Sequence, residues 1–392
     1  MDNDEEFQKL MGNQNSSDSE ARFQKYSETK KNVQEHNIDF ELGLSSFEMA
    51  VNKFAVQLDD EIAPLALDVS TITPTHITTS TNSSRQKRDT NTNTTVDWRF
   101  AMRPIANQGV CGGCWAFAMV AMVEGFMYLK GHNATGSLSV QQLLSCDTVL
   151  DKSYGVANQG CNGGYFQVAA DYLKAHGERS AKDIPFIGTS HQTCKTPYFA
   201  PIAPMIATFD SGFLDATNST KILGEMAQNL ENRVQKGPVA VGMAVSKDIY
   251  SYSSGVYDGD CGPKINHAVV IVGFTDDYWI VRNSWGSDWG EDGYFRVKRS
   301  PGVDRCKFLR YWSQATEIGE DELFVELTTK TYTTVSTAKT EDSCDCECDC
   351  EEDDDEEEEE DDIHTSTTEN LVFTTTETIV FDSYYYDDYV LL

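Results

Sequence analysis

One cysteine of the sequence stands where its thiol could act as a nucleophile. Cys114 follows Gly112 and Gly113 and begins a run to about Lys130 that has no proline and one glycine. The apolar pattern of this run predicts a buried helix with the thiol at its N-terminus. Unpaired N–H groups and the positive end of the helix dipole favour the thiolate there. The alternative interpretation is an inert or disulfide-bonded cysteine.

A nucleophilic thiol needs a base, and the base needs an orienting partner. His267 is the candidate base, since it stands where a polar segment becomes an apolar strand. Residues 267–274 and 278–285 are β-branched and aromatic runs that predict a hairpin. The hairpin would place Asn283 opposite His267 within about one residue of register. With Cys114, these residues would form the nucleophile, base and orienting amide of thiol-dependent acyl transfer.

The elements that must position these residues change type along the chain. A second helix is predicted after Cys114 from the capping box formed by Ser139 and Gln142. The later part contains the hairpin and a further predicted strand from Tyr294 to Lys298. A helical half followed by a strand-rich half predicts an α+β fold with a cleft between two lobes.

Polar segments flank the predicted globular part, residues 96–314. Residues 1–62 are helix-prone, and one helical face would carry Phe23, Tyr26, Lys30 and Val33. Residues 63–95 form a Ser/Thr-rich linker whose basic cluster, Arg85–Arg88, is a predicted site of proteolytic nicking. A plain solvated charge run is the alternative for that cluster.

The C-terminal residues 315–392 form an acidic tail. The net charge of the chain is -32, and seventeen carboxylates lie between Glu341 and Asp362. The tail cysteines, Cys344, Cys346, Cys348 and Cys350, alternate mostly with acids. We predict a disordered tail, with a soft-metal site or a disulfide anchor as alternatives. An acidic chain without a basic stripe excludes nucleic acid as a partner, and no apolar stretch predicts a membrane span.

The other cysteines predict an oxidising compartment. Seven of the eleven cysteines lie in the body of the chain, enough for three pairs and one reactive thiol. Candidate glycosylation sites are Asn82, Asn93, Asn133 and Asn218. The N-terminus lacks the apolar region of a secretory signal. Because the cysteines nevertheless indicate an oxidising compartment, we expect a lysosomal or extracellular location. We also expect that the start site of this sequence omits the signal peptide.

Four segments together resemble the papain family, and within it the cathepsin L-like peptidases. The segments are Gln108–Trp115, Gly160–Gly164, Asn266–Ala268 and Asn283–Gly286. The interval of 153 residues from Cys114 to His267 is close to that of the family. The resemblance implies a two-lobed fold, with a helical left lobe, a β-barrel-like right lobe and the active-site cleft between them.

The resemblance also implies a role for each catalytic position. Gln108 would donate to the oxyanion together with the N–H of Cys114. His267 would be the base and then the acid, Asn283 would orient it, and Trp285 would shield their hydrogen bond. The chain would be a cysteine endopeptidase made as a zymogen. Residues 1–62 would be its inhibitory propeptide, with a family motif matched in part by Asp18, Arg22, Tyr26, Thr29, Val33 and Asn37.

Further implications concern binding and cross-links. Substrate would be bound by Gly163, Gly164, Tyr165, Phe166, Gly242, Ile265, Ala268, Trp285 and Tyr311, with a shallow pocket for a modest apolar side chain. Disulfides would be Cys111–Cys161, Cys146–Cys194 and Cys261–Cys306. The partners would be peptide and protein substrates and cystatin-type inhibitors, for a monomer with no cofactor or metal. An inert binding protein of the same fold and an exopeptidase are the alternative functions.

Overall fold

The computed structural model describes the greater part of the first 319 residues. The described residues are 4–12, 18–59, 61–62, 67, 69, 95–132, 136–152, 155–190, 193–196, 201, 206–214 and 219–319. Three predicted features lie outside them: the four candidate glycosylation sites, the Arg85–Arg88 cluster and the acidic cysteine tail.

Six α-helices are present in the described residues. They are α1 (Glu5–Met11), α2 (Ser19–Glu41), α3 (Cys114–Leu129), α4 (Val140–Cys146), α5 (Phe166–His176) and α6 (Thr220–Val234). Nearly every side chain of α3 is buried, which confirms the predicted central helix. A helix that is apolar on all sides must lie inside the protein, and α3 lies at the centre of one of the apolar cores.

In the described part of the chain, nine strands form one sheet. They are β1 (Phe47–Met49), β2 (Val96–Asp97), β3 (Ile206–Phe213), β4 (Val239–Ala244), β5 (Tyr252–Tyr257), β6 (Ile265–Phe274), β7 (Tyr278–Arg282), β8 (Tyr294–Lys298) and β9 (Tyr311–Ile318). The strand order is β1-β5-β8-β7-β6-β4-β9-β3, with β2 also paired to β6. All pairs are antiparallel except β5 with β8. The predicted hairpin and the predicted third strand are thus confirmed as β6, β7 and β8.

The apolar side chains of the described residues form three cores. One surrounds α3 and includes side chains of α4 and α5 and one face of β6. A second lies among α6 and strands β4 to β8 and is rich in aromatic residues. A small third core belongs to the N-terminal segment and contains Phe7, Met11, Tyr26, Ala55 and Val56. The helical and strand-rich parts therefore have separate cores, as an α+β arrangement of two lobes requires.

Two local predictions need correction. The hairpin pairs Val270 with Arg282, a register two residues away from one that would place Asn283 opposite His267. Only half of the predicted capping box forms: the hydroxyl of Ser139 accepts from the N–H of Gln142 at 3.0 Å. The N–H of Ser139 donates instead to the carbonyl of Arg179 at 2.8 Å, because this helix end is buried against a neighbouring segment.

Candidate active site

The thiol of Cys114 is buried at the first residue of α3. The turn before it is tight: a Cβ atom on Gly113 would lie 2.9 Å from the Cδ2 atom of Leu144. The structure forms Cys111–Cys161, Cys146–Cys194 and Cys261–Cys306, the pairs that the resemblance implied. Cys114 lies outside these bridges, so its thiol retains its proton chemistry.

The side chains of His267 and Asn283 are joined across the hairpin. His267 Nε2 lies 2.9 Å from Asn283 Oδ1, and the backbone N–H of Ser284 donates to the same oxygen at 2.9 Å. Because an oxygen that accepts from both groups cannot donate, Nε2 carries the imidazole proton and Nδ1 has a lone pair. β7 ends at Arg282, so Asn283 lies just outside the paired strand, and its side chain contacts His267 despite the register.

The second ring nitrogen of His267 is available for proton transfer. Nδ1 is buried, and the described residues supply no hydrogen bond to it. Burial lowers the pKa of His267 to about 4, against a smaller upward effect of the hydrogen bond with Asn283. The imidazole is therefore neutral in this structure over the whole range from mildly acidic to neutral pH.

An aromatic stack covers this pair. The ring of His267 stacks on Trp285 at a centroid distance of 5.0 Å, and Trp285 stacks on Tyr250 at 4.9 Å. Burial, followed by the charge of Cys114, raises the pKa of Tyr250 to about 12. Trp285 is itself buried, so water is kept from the hydrogen bond beneath it.

The amide of Gln108 is held in a fixed orientation. It is buried, with Nε2 donating to the carbonyl of Cys111 at 2.9 Å and Oε1 accepting from the hydroxyl of Ser284 at 2.6 Å. The backbone N–H of Gln108 also donates to the carbonyl of Ser284 at 2.9 Å. Ser284 was not predicted as a site residue. The only sequence signal was its place between Asn283 and Trp285.

The Gly163–Gly164 segment is packed on the helix that carries Cys114. Gly163 has a φ of +118°, which favours glycine. A Cβ atom on Gly164 would lie 2.5 Å from the indole of Trp115, so only glycine allows this approach. Tyr165, the next residue, is half-buried. Gly163 and Gly164 are themselves buried, and without side chains they can offer a ligand only their main chain.

The predicted specificity residues meet around Gly242. A Cβ atom there would lie 2.9 Å from both Ile265 and Tyr311 and 3.2 Å from the Cδ2 atom of Leu67. Tyr311 is fully buried and stacks on Phe166 at 4.6 Å, so these two rings form the floor beneath the glycine. Ala268 belongs to the same apolar core.

Leu67 was not predicted to lie in this place. It belongs to the linker, yet its side chain is 1% exposed and is part of the core around α3. Its N–H donates to the carbonyl of Asn266, the residue before His267, at 3.4 Å. The only sequence signal was an apolar residue in a polar linker.

The N-terminal segment pairs with the strand-rich part of the fold. β1 extends the sheet at β5, with Phe47 opposite Gly255. Asn37 on α2 holds the end of β1 through two hydrogen bonds to the backbone of Met49, at 2.8 and 2.9 Å. Lys53 donates to the carbonyl of Trp285, so this segment reaches the residues next to the His267 ring.

Charge is paired within this N-terminal segment. The buried guanidinium of Arg22 forms a bidentate pair with Glu61 at 2.5 Å and lowers the pKa of that carboxyl to about 2. Tyr26 and Val33, two further residues of the propeptide motif, are buried as well. The motif residues therefore hold α2 against the segment that follows it.

Among the described residues, no group of three or more His, Cys, Asp or Glu side chains could hold a metal ion. Within the same part of the chain, no helix has the length and apolar character needed to cross a bilayer.

Comparisons with known proteins identify the family. The sequence matches the family described as "Papain family cysteine protease" over residues 92–316 and the "Cathepsin propeptide inhibitor domain" over residues 5–62. A cysteine proteinase of Theileria parva is 35% identical over 57% of this chain and 47% of its own length. The chain spans about half the length of that relative. A germination-specific cysteine protease of Arabidopsis thaliana is 34% identical over 72% of this chain and 73% of its own.

A solved structure has the same fold. The structure of digestive procathepsin L 3 from Tenebrio molitor larval midgut matches with a TM-score of 0.60 and 26% identity, over 79% of this chain and 96% of that chain. The predicted papain-like α+β fold is therefore confirmed. This chain belongs to the papain family of cysteine proteases and carries the family's propeptide inhibitor domain at its N-terminus.

Proposed function

We propose that the chain is the zymogen of a cysteine endopeptidase whose nucleophile is Cys114. The observation that supports this most directly is the hydrogen bond of His267 to Asn283, which leaves the buried Nδ1 as a proton acceptor. Thiol-dependent acyl transfer needs such a base and a thiol at a helix N-terminus, and His267 and Cys114 supply these two groups.

In the proposed reaction, His267 Nδ1 takes the proton of the Cys114 thiol as the sulfur attacks the carbonyl carbon of a peptide bond. The oxyanion accepts from the N–H of Cys114 and from Gln108. The amide nitrogen of Gln108 has two hydrogens, and the carbonyl of Cys111 uses one, so the second can donate to the oxyanion. The protonated imidazole gives its proton to the leaving amine, and water then cleaves the thioester.

Leu67 supports a proposal about specificity. In the proform, Leu67 lies beside Gly242: its Cδ2 atom is 3.2 Å from where a Cβ atom on that glycine would stand, and Ile265 and Tyr311 adjoin the same position. A leucine that is almost completely buried shows the size and polarity that this space accepts. We propose that the same space binds the substrate residue that precedes the scissile one. The pocket would prefer leucine and other apolar side chains of similar volume.

The proregion would inhibit the enzyme by occupying the proposed substrate pocket. Leu67 covers the proposed pocket, while β1 and Lys53 attach the segment to β5 and to Trp285. The proposed activation is cleavage at Arg85–Arg88, followed by release of residues before the cut. The three disulfides support an oxidising location, either lysosomal or extracellular. We further propose that the enzyme is a monomer and that cystatin-type inhibitors bind it.

An epoxide probe for thiol peptidases tests the catalytic proposal. We expect the processed protein to be labelled and to cleave a protein substrate internally, while Cys114→Ser is neither labelled nor active. Labelling of the serine variant would refute the role of Cys114. Absence of both labelling and cleavage in the wild type would favour an inert binding protein, and release of single terminal residues would indicate an exopeptidase.

A peptide library varied at the residue before the scissile one tests the specificity proposal. We expect leucine and similar apolar residues to give the highest kcat/KM values. A preference for arginine or tryptophan would contradict the pocket that Leu67 defines.

A further inference from the structure

A buried hydrogen-bonded chain links Asp147 to the Gly163–Gly164 edge. Asp147 and Asn158 are 4% and 2% exposed. Asn158 Nδ2 donates to Asp147 Oδ2 at 2.5 Å, and the backbone N–H of Tyr165 donates to Asn158 Oδ1 at 2.5 Å. Because both ends of the Asn158 amide are engaged, Asp147 determines which way its oxygen faces.

The same amide packs directly against the glycine edge. A Cβ atom on Gly164 would lie 2.6 Å from Asn158 Oδ1 and 2.5 Å from the indole of Trp115. That indole donates to the carbonyl of Gly160 at 3.0 Å. The short segment from Gly160 to Tyr165 is therefore held on one side by the neighbour of Cys114 and on the other by Asn158.

We propose that Asp147 is a positioning residue which, through Asn158, holds the Gly163–Gly164 backbone in the orientation that binds an extended substrate. The inference rests on the proposed function and on the sequence resemblance, which implies that Gly163 and Gly164 bind substrate; we infer that they do so by main-chain pairing. Such pairing depends on the direction of each N–H and carbonyl group. Loss of the support weakens substrate binding and leaves proton transfer between Cys114 and His267 intact.

The surroundings of Asp147 give this support a pH dependence. Burial is the main cause that raises the pKa of Asp147 to about 7, the hydrogen bond from Asn158 opposes it, and the charges of Asp151 and Asp171 add to the rise. Tyr172, whose pKa is raised chiefly by burial, is also affected by Asp147, and the charge of Arg179 acts on it in the opposite direction. Lys174 pairs with Asp171 at 3.9 Å.

Ionisation of the Asp147 carboxyl strengthens the hydrogen bonds that link Asp147, Asn158 and Tyr165. A carboxylate accepts a stronger hydrogen bond than a neutral carboxyl does, and a polarised amide passes part of that gain to its second bond. An extended substrate is therefore bound more tightly as the pH rises through about 7.

The test compares two fluorogenic substrates on the activated enzyme. One extends three residues before the scissile bond and the other only one, and kcat and KM are measured at pH 6 and pH 8. We expect Asp147→Ala and Asn158→Ala to raise KM for the long substrate about tenfold, with kcat changed less than about twofold. The short substrate is hardly affected. The exposed Asn229 on α6 supplies the control variant, Asn229→Ala.

Asp147→Asn supplies the decisive second variant. Its amide oxygen still accepts from Asn158 but cannot titrate, so KM for the long substrate stays within about threefold of wild type and loses its change between pH 6 and pH 8. An unchanged KM in Asp147→Ala, or equal effects on both substrates, overturns the positioning role. If the alanine variant does not fold, a KM of Asp147→Asn that follows pH as in wild type overturns it. A wild type that cleaves neither substrate refutes the proposed function itself.

Discussion

Glu178 offers a test of the buried electrostatics in the lobe that contains α3. It is 4% exposed, and neither carboxyl oxygen receives a hydrogen bond from the described residues. Burial, and then the charge of Glu124, raise the pKa of Glu178 to about 8 from an ordinary value of 4.5. The folded protein therefore holds a proton that the unfolded chain releases.

The sign of the effect follows from this proton. Because the pKa of Glu178 is higher in the folded state, its favourable contribution is complete below pH 4.5 and is lost as the pH rises to about 8. One pKa unit corresponds to about 1.4 kcal/mol. Between pH 4.5 and pH 7, Glu178 should thus lower the free energy of unfolding by about 3 kcal/mol relative to a side chain that does not titrate.

Glu178→Gln removes this titration. We would measure urea unfolding of the proform at both pH values in a Cys114→Ser background, which prevents self-digestion. The stability lost by Glu178→Gln between pH 4.5 and pH 7 should be about 3 kcal/mol smaller than that lost by its parent. Glu225→Gln, at an exposed position on α6, is the control. Parallel losses in parent and Glu178→Gln would refute the reasoning.

Two further predictions concern the site and its inhibition. Ser284→Ala should lower kcat about fivefold with little change in KM, because Gln108 loses the hydroxyl that fixes its amide. Ser284→Thr should recover part of the loss in kcat. A change confined to KM would contradict the orienting role of Ser284. Gly255→Ala should weaken inhibition by the added proregion at least about tenfold, since its φ is +93° and a Cβ atom would lie 2.6 Å from the carbonyl of Ser46. Gly224→Ala, where a Cβ atom meets nothing within 4 Å, is the control, and equal inhibition of both variants would show that Gly255 is not needed for docking.

Local sequence patterns predicted the elements well and their relation less well. The apolar run after Cys114 and the two β-branched runs became α3 and the β6–β7 hairpin, because their period and composition act over a few neighbouring residues. The register was two residues from the expected one, since pairing with β4 and β8 and a bulge in β6 also determine it. Half of the Ser139 capping box was replaced by a hydrogen bond to the backbone carbonyl of Arg179, which only the folded chain brings close.

Residues that act through a neighbour distant in sequence gave little or no signal. Ser284 supports Gln108 across an interval of 176 residues, and Leu67 reaches a space formed with Gly242. Asp147 and Asn158 look like ordinary polar loop residues until the fold buries them next to Gly164. Their contributions depend on packing and desolvation, which have no short-range signature.

The order and spacing of Cys114, His267 and Asn283 could be read directly from the sequence, because reactive groups are few and each belongs to a local motif. Folding settled which nitrogen of His267 is the acceptor, how Gln108 is oriented and what fills the space beside Gly242. The contacts of Gln108 and Gly242 join segments more than a hundred residues apart, and the contact of His267 with Asn283 crosses a hairpin. Such directional hydrogen bonds and close contacts exist only once the chain has folded.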